Sequence, residues 1–143
     1  MINFKLPEKF LLVLTILTVP LVLAGCFPGI GQTNTVGRDE YIAGAVVPGF
    51  PQVPLYPDAS VIESYGFEEK YGASIVADDD VARVARFYSD SLPQLLWQTD
   101  ASGSGDRFIF NIKNENQEGM IIVNKAADGK TTAITIAISP RAN

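Results

Sequence analysis

Histidine is absent from this chain of 143 residues, and cysteine occurs once. Without histidine there is no Ser-His-Asp or Cys-His catalysis, and no histidine-ligated zinc or haem. A single thiol cannot ligate an iron–sulfur cluster or form a disulfide within one chain. The fold must therefore rest on its apolar core. Basic residues are few as well: 11 Lys and Arg against 16 Asp and Glu give a net charge of −5. Nucleic-acid binding needs clustered Lys and Arg, so this balance argues against it. The same balance disfavours a polybasic grip on anionic lipid. The glycines of Gly103-Ser104-Gly105 are not followed by Lys-Ser or Lys-Thr, which rules out a phosphate loop there. No internal repeat is visible.

What is present starts at the N-terminus. Lys5 and Lys9 make a basic opening, partly offset by Glu8. Phe10 to Ala24 follow as an apolar run of 15 uncharged residues, short of the roughly 20 that a spanning helix needs. Pro20 would weaken a helix near its end. The run closes on Leu23-Ala24-Gly25-Cys26, with small residues where a peptidase needs narrow side chains.

Residues 1–26 resemble a bacterial lipoprotein signal peptide, with Leu23, Ala24, Gly25 and Cys26 as the lipobox. The resemblance implies diacylglycerol on the Cys26 sulfur and cleavage between Gly25 and Cys26. In many bacteria the new amine is then acylated, typically with palmitate. Each buried methylene contributes about 0.8 kcal/mol, so two or three chains hold where one holds only marginally. The expected location is a lipid anchor in the cell membrane or outer membrane, with the domain on the extracytoplasmic side. Phe27, where an Asp would favour retention in the inner membrane, points weakly to the outer one. An uncleaved signal anchor is the alternative. Cleavage removes two lysines and one glutamate, leaving the mature chain at −6.

Residues 26–54 read as a lipidated N-terminus and flexible linker, interrupted by glycine and proline throughout. Tyr41 to Val47 form an apolar island that could dock or make a short strand. A single domain is expected over residues 55–143. Its opening, Val53-Pro54-Leu55-Tyr56-Pro57-Asp58-Ala59, is loosely similar to that of uncharacterised exported bacterial domains, which implies no activity. Val61 to Phe67 and Tyr71 to Ala77 read as strands around Glu68-Glu69-Lys70. Val81, Val84, Ala85, Tyr88 and Leu92 repeat at helical spacing, and Pro93 ends the run. Phe108 to Ile112, Met120 to Lys125 and Thr132 to Ser139 read as three more strands. Trp97 to Asp100 is an optional short strand beyond these. Asn114-Glu115-Asn116 and Asp128-Gly129 supply the turns. The expected fold class is α+β: a small antiparallel sheet, β-β-α-β-β-β, with one helix on one face.

Candidate sites are few. Asp78-Asp79-Asp80 could bind a cation, but the position favours a helix cap. Asp100 to Asp106 alternates oxygen-bearing side chains with Gly105 at the sixth place, like part of a calcium loop. Serines replace the central acids, and Asn111 stands where a bidentate Glu belongs, so a hairpin loop is expected. Glu63 with Glu68 or Glu69 could do acid–base work only if they converge. Phe87, Tyr88 and Trp97 suit a core better than a pocket. The remaining candidate is a second apolar sheet face, drawn from Ile109, Ile121, Val123, Ala133 and Ala137, with Met120 and Ile122 as alternates. It is either covered by residues 41–55 or offered to a partner.

The sequence therefore points to a non-enzymatic envelope lipoprotein. Its partners would be membrane lipid, through the acyl chains on Cys26, and an envelope protein. No cofactor or metal is expected. A sensory lipoprotein binding a small molecule or metal is the alternative, and a carboxylate-dependent hydrolase is the weakest reading.

Overall fold

Alternating apolar and polar residues turn most of the chain after Ser60 into strands. The computed structural model describes residues 40–142. Its elements in chain order are β1 (Glu40–Ala43), β2 (Ser60–Phe67), β3 (Lys70–Ala77), helix α1 (Val81–Ser91), a 3-10 turn (Pro93–Leu95), β4 (Gln98–Ser104), β5 (Arg107–Lys113), β6 (Gln117–Lys125) and β7 (Thr132–Pro140). The strands form one sheet in the order β1-β2-β3-β7-β6-β5-β4. Every neighbouring pair is antiparallel. Two meanders, β1-β2-β3 and β4-β5-β6-β7, thus meet where β3 pairs with β7. Helix α1 connects them, leaving the centre of the sheet and delivering the chain to its far edge.

The helix forms where the sequence asks for it. The Asp80 carboxylate accepts the Arg83 backbone N–H at 2.8 Å, capping the first turn. Asp79 pairs with the Arg83 guanidinium at 3.0 Å. Val81, Val84, Ala85 and Tyr88 are buried beneath the helix, and Leu92 just beyond it. Pro93 breaks the α-helical pattern, and the 3-10 turn ends on Leu96 in a left-handed conformation.

The turns follow their chemistry. The Asn114 side chain accepts the backbone N–H groups of Asn116 and Gln117. Asp128 accepts those of Lys130 and Thr131, and also the Thr131 hydroxyl. These three donors hold the Asp128 carboxyl below the usual carboxylate range. The β2–β3 turn is less ordinary: Glu68 and Glu69 both have positive φ, 47° and 61°, where a two-residue hairpin favours Asn-Gly.

Among the described residues, all the packing lies on one face of the sheet. Helix α1 covers β5 and β6. The core beneath it holds Ala73, Ile75, Phe110, Ile112, Ile121, Val123, Ile134, Ile136 and Ile138. The other end of the same face is covered by residues 44–56. Val47 and Val53 are buried there. Phe50 meets Tyr71 edge to face at 5.9 Å, and Tyr56 meets Phe87 at 5.1 Å. The buried Ser64 hydroxyl holds this segment down, accepting the Val47 N–H at 2.9 Å and donating to the Ala45 carbonyl at 2.8 Å. The Trp97 indole N–H donates to the Gln52 carbonyl at 3.0 Å.

Helix, turns and antiparallel sheet match the expected α+β class, but the sheet is larger. Two strands are added to the expected five. One is β1, inside the stretch read as linker; the other is the full-length β4. Of residues 40–54, placed outside the domain by their glycines and prolines, Glu40–Ala43 pair with β2, and Val47 and Val53 are buried. Proline and glycine forbid regular structure over most of that stretch, but not the burial of Val47 and Val53. The lipobox residues Leu23, Ala24, Gly25 and Cys26 lie outside the described residues, as do the rest of the signal segment and residues 27–39.

Candidate functional site: the outer face of the sheet

Side chains alternate along a strand, so burial of one set fixes the other. Ile121 and Val123 are fully buried against the helix side. Their neighbours Met120 and Ile122 therefore point to the opposite, outer face. Strand pairing carries that assignment across the sheet. One outer row runs Tyr41, Tyr65, Gly72, Ala137, Met120, Asn111, Asp100. The next runs Ala43, Glu63, Ser74, Thr135, Ile122, Ile109, Ser102.

This geometry divides the expected interaction face. Ile109, Ala133 and Ala137 do lie together on the outer face. Ile121 and Val123 do not: they face the core, and the alternates Met120 and Ile122 take their places. Sequence reasoning also missed the aromatic end of the face. Tyr41 is 65% exposed, Tyr65 52% and Phe67 43%, all on the outer side of β1 and β2. The signal was available in the spacing of Tyr65 and Phe67, two residues apart along one strand.

Tyr65 has a defined seat. A side chain at Gly72 would collide with the Tyr65 ring, so the absent Cβ lets the ring lie across β3. Beside it, the Tyr41 hydroxyl donates to the Glu63 carboxylate at 3.0 Å. That bond, followed by the negative charge of Glu63, raises the Tyr41 phenol above its ordinary pKa. Half-buried Val76, Ile109, Ile122 and Ala133 continue the apolar surface toward β5. Nothing among the described residues covers this face, because helix and loop both pack on the other one.

The remaining candidates do not assemble chemistry. Five residues of extended strand separate Glu63 from Glu68, about 16 Å, so the glutamates do not converge. Asp100, Ser102 and Ser104 belong to β4 and point along the outer face without encircling a point. Among the described residues no group of three or more Asp, Glu, His or Cys could hold a metal ion. Asp79 sits beside the helix cap, where the Tyr56 hydroxyl donates to it at 2.6 Å. That bond, with the Asp80 amide and Arg83, lowers the Asp79 pKa, and the same bond raises that of Tyr56. Phe87, Tyr88 and Trp97 are core or half-buried residues packed on their neighbours. Burial drives the Tyr88 phenol well above its usual range. Two open depressions remain. One of ≈ 680 Å³ is polar, lined by Gln98, Asp100, Asn111, Lys113 and Glu118. The other, ≈ 430 Å³, runs between α1 and the β4–β5 hairpin, with Arg86 at its rim.

No known protein family matches the chain, and neither a curated protein nor a solved structure does. The fold and the bare face must carry the functional reading by themselves.

Proposed function

We propose that this chain is a membrane-anchored lipoprotein of the bacterial cell envelope, held by acyl chains on Cys26. Its domain faces the extracytoplasmic side and binds a protein partner through the outer face of the sheet, with no catalytic step. One observation carries the binding part: among the described residues, a seven-stranded sheet is packed on one face only, and the other presents aromatic and aliphatic side chains to solvent. Solvated antiparallel sheets usually alternate to polar residues on the open side. Here Tyr41, Tyr65, Phe67 and Met120 stand exposed there instead, and continuous apolar patches of this kind mark interaction surfaces.

Two measurements test the reading. Mass spectrometry of the native protein is expected to find a diacylglyceryl group on an N-terminal Cys26; an intact, unacylated N-terminus refutes the anchor. A photoreactive residue at Met120, in cells, is expected to crosslink to protein. The same probe at Ala127, in the exposed β6–β7 turn, serves as the control. Equal, background-level labelling from both positions refutes binding at this face.

A further inference from the structure

We infer that the partner on the outer face is a second copy of this chain, the two sheets stacked face to face about a two-fold axis as a β-sandwich. The inference rests on reading that face as a protein-binding surface, and it names the occupant.

Size gives the first argument. Seven strands about 4.8 Å apart, most of them seven to nine residues long at about 3.3 Å per residue, present a face of about 750 Å². A stable interface buries about 800 Å² on each partner. A helix is only about 10–12 Å across and would cover less than half the width of this sheet. A second sheet packed about 10 Å away covers all of it.

Charge gives the second. Strand pairing puts Glu63, Asp100 and Glu118 on the outer face, and also Lys70, Arg107 and Lys113. Those charges cancel, on a chain whose net charge is −5. Two copies of an acidic protein repel one another across most approaches. They repel least through a neutral face, and each acid of one copy can find a base of the other. A strongly basic or acidic partner finds no matching field here.

Layout gives the third. Met120, Ile122, Thr135 and Ala137 occupy the middle of the face, with Ile109 beside them on β5 and the rings of Tyr41, Tyr65 and Phe67 at the β1–β2 end. Asp100 lies on the edge strand β4, while Lys113, Glu118 and Arg107 lie toward the strand ends. Apolar side chains thus run from the β1–β2 end to the middle, with charged groups at the β4 edge and the strand ends, and protein interfaces combine an apolar core with such polar margins. A two-fold axis lets one such patch serve both partners.

The test uses the full-length chain, co-expressed with two different affinity tags and a photoreactive residue at Ile122. The expected product carries both tags at twice the mass of one chain. Met120→Glu in both copies is expected to reduce it about ten-fold or more, as loss of a central interface contact does. Ala127→Glu is expected to leave it unchanged. Circular dichroism checks that each variant folds, and Ala137→Lys, on another strand of the same face, replaces Met120→Glu if that variant does not. Crosslinks only to a different protein or to lipid overturn self-pairing; the different protein would leave the broader reading standing. Labelling no higher than that of a probe at Ala127 overturns both.

Discussion

Replacing Ser64 with alanine should release the segment that covers one end of the core. The Ser64 hydroxyl is buried and makes two bonds, one from the Val47 N–H and one to the Ala45 carbonyl. The two losses differ. Ala45 is exposed, so its carbonyl can turn to water, and losing that bond costs about 0.5–1 kcal/mol. Val47 is buried, 2% exposed, and its N–H is left without an acceptor, which costs about 1–3 kcal/mol. Ser64→Ala should therefore lower stability by about 2–3 kcal/mol in urea or guanidinium unfolding. In a domain near 100 residues that corresponds to a fall of roughly 10–20 °C in melting temperature. Hydrogen exchange should show the Val47 amide losing protection before the strands do. Because the two residues share one anchor, Val47→Ala should cost less in the Ser64→Ala background than alone, with a coupling of about 0.5 kcal/mol or more. An unchanged unfolding midpoint, or strictly additive variants, would refute the claim that this hydroxyl ties residues 44–54 to the sheet.

Two further predictions concern the interior. The Tyr88 hydroxyl is fully buried, and the Tyr56 backbone amide faces it without closing a hydrogen bond. Tyr88→Phe should therefore be neutral or stabilising by up to about 1 kcal/mol, and a clear loss in thermal unfolding would show that the hydroxyl has a partner. Gly119 and Gly72 should respond differently to alanine. A Cβ at Gly119 meets the Ala137 backbone carbonyl and cannot be accommodated without moving a strand, whereas at Gly72 it meets only the far end of the exposed Tyr65 ring. Gly119→Ala should cost about 1–3 kcal/mol or more, and Gly72→Ala distinctly less, as the ring swings into solvent; equal losses would contradict the two environments.

Helix α1 was legible because its buried residues recur at 3.6-residue spacing and Asp80 offers an N-cap where that stripe begins. β7 was legible because Ile134, Ile136 and Ile138 alternate with smaller residues, which sets its face without any partner. β6 was not, since Met120-Ile121-Ile122-Val123 is apolar at every position and has no phase of its own. Only pairing with Phe110 and Ile136 decides that Ile121 points inward. β4 has the opposite difficulty: Gln-Thr-Asp-Ala-Ser-Gly-Ser carries almost no apolar signal, because an edge strand beyond the helix has little to bury. β1 is four residues long and flanked by glycine, so its existence depends on the β2 edge and not on its own propensity. The bare face was anticipated as one of two outcomes. What decided between them is that residues 44–56 return to the helix side, and that follows from where the Ser64 side chain points.

Pairing of β1 with β2 also shortens the leash. Glu40 already belongs to the folded body, so only fourteen peptide links separate it from Cys26. Fully drawn out, they reach about 50 Å, half of what a start at residue 55 would allow. With lipid on that cysteine, as proposed, the domain would stay within one protein diameter or so of the bilayer surface. Two copies joined sheet to sheet would then be sister molecules on the same leaflet, brought together by lateral diffusion.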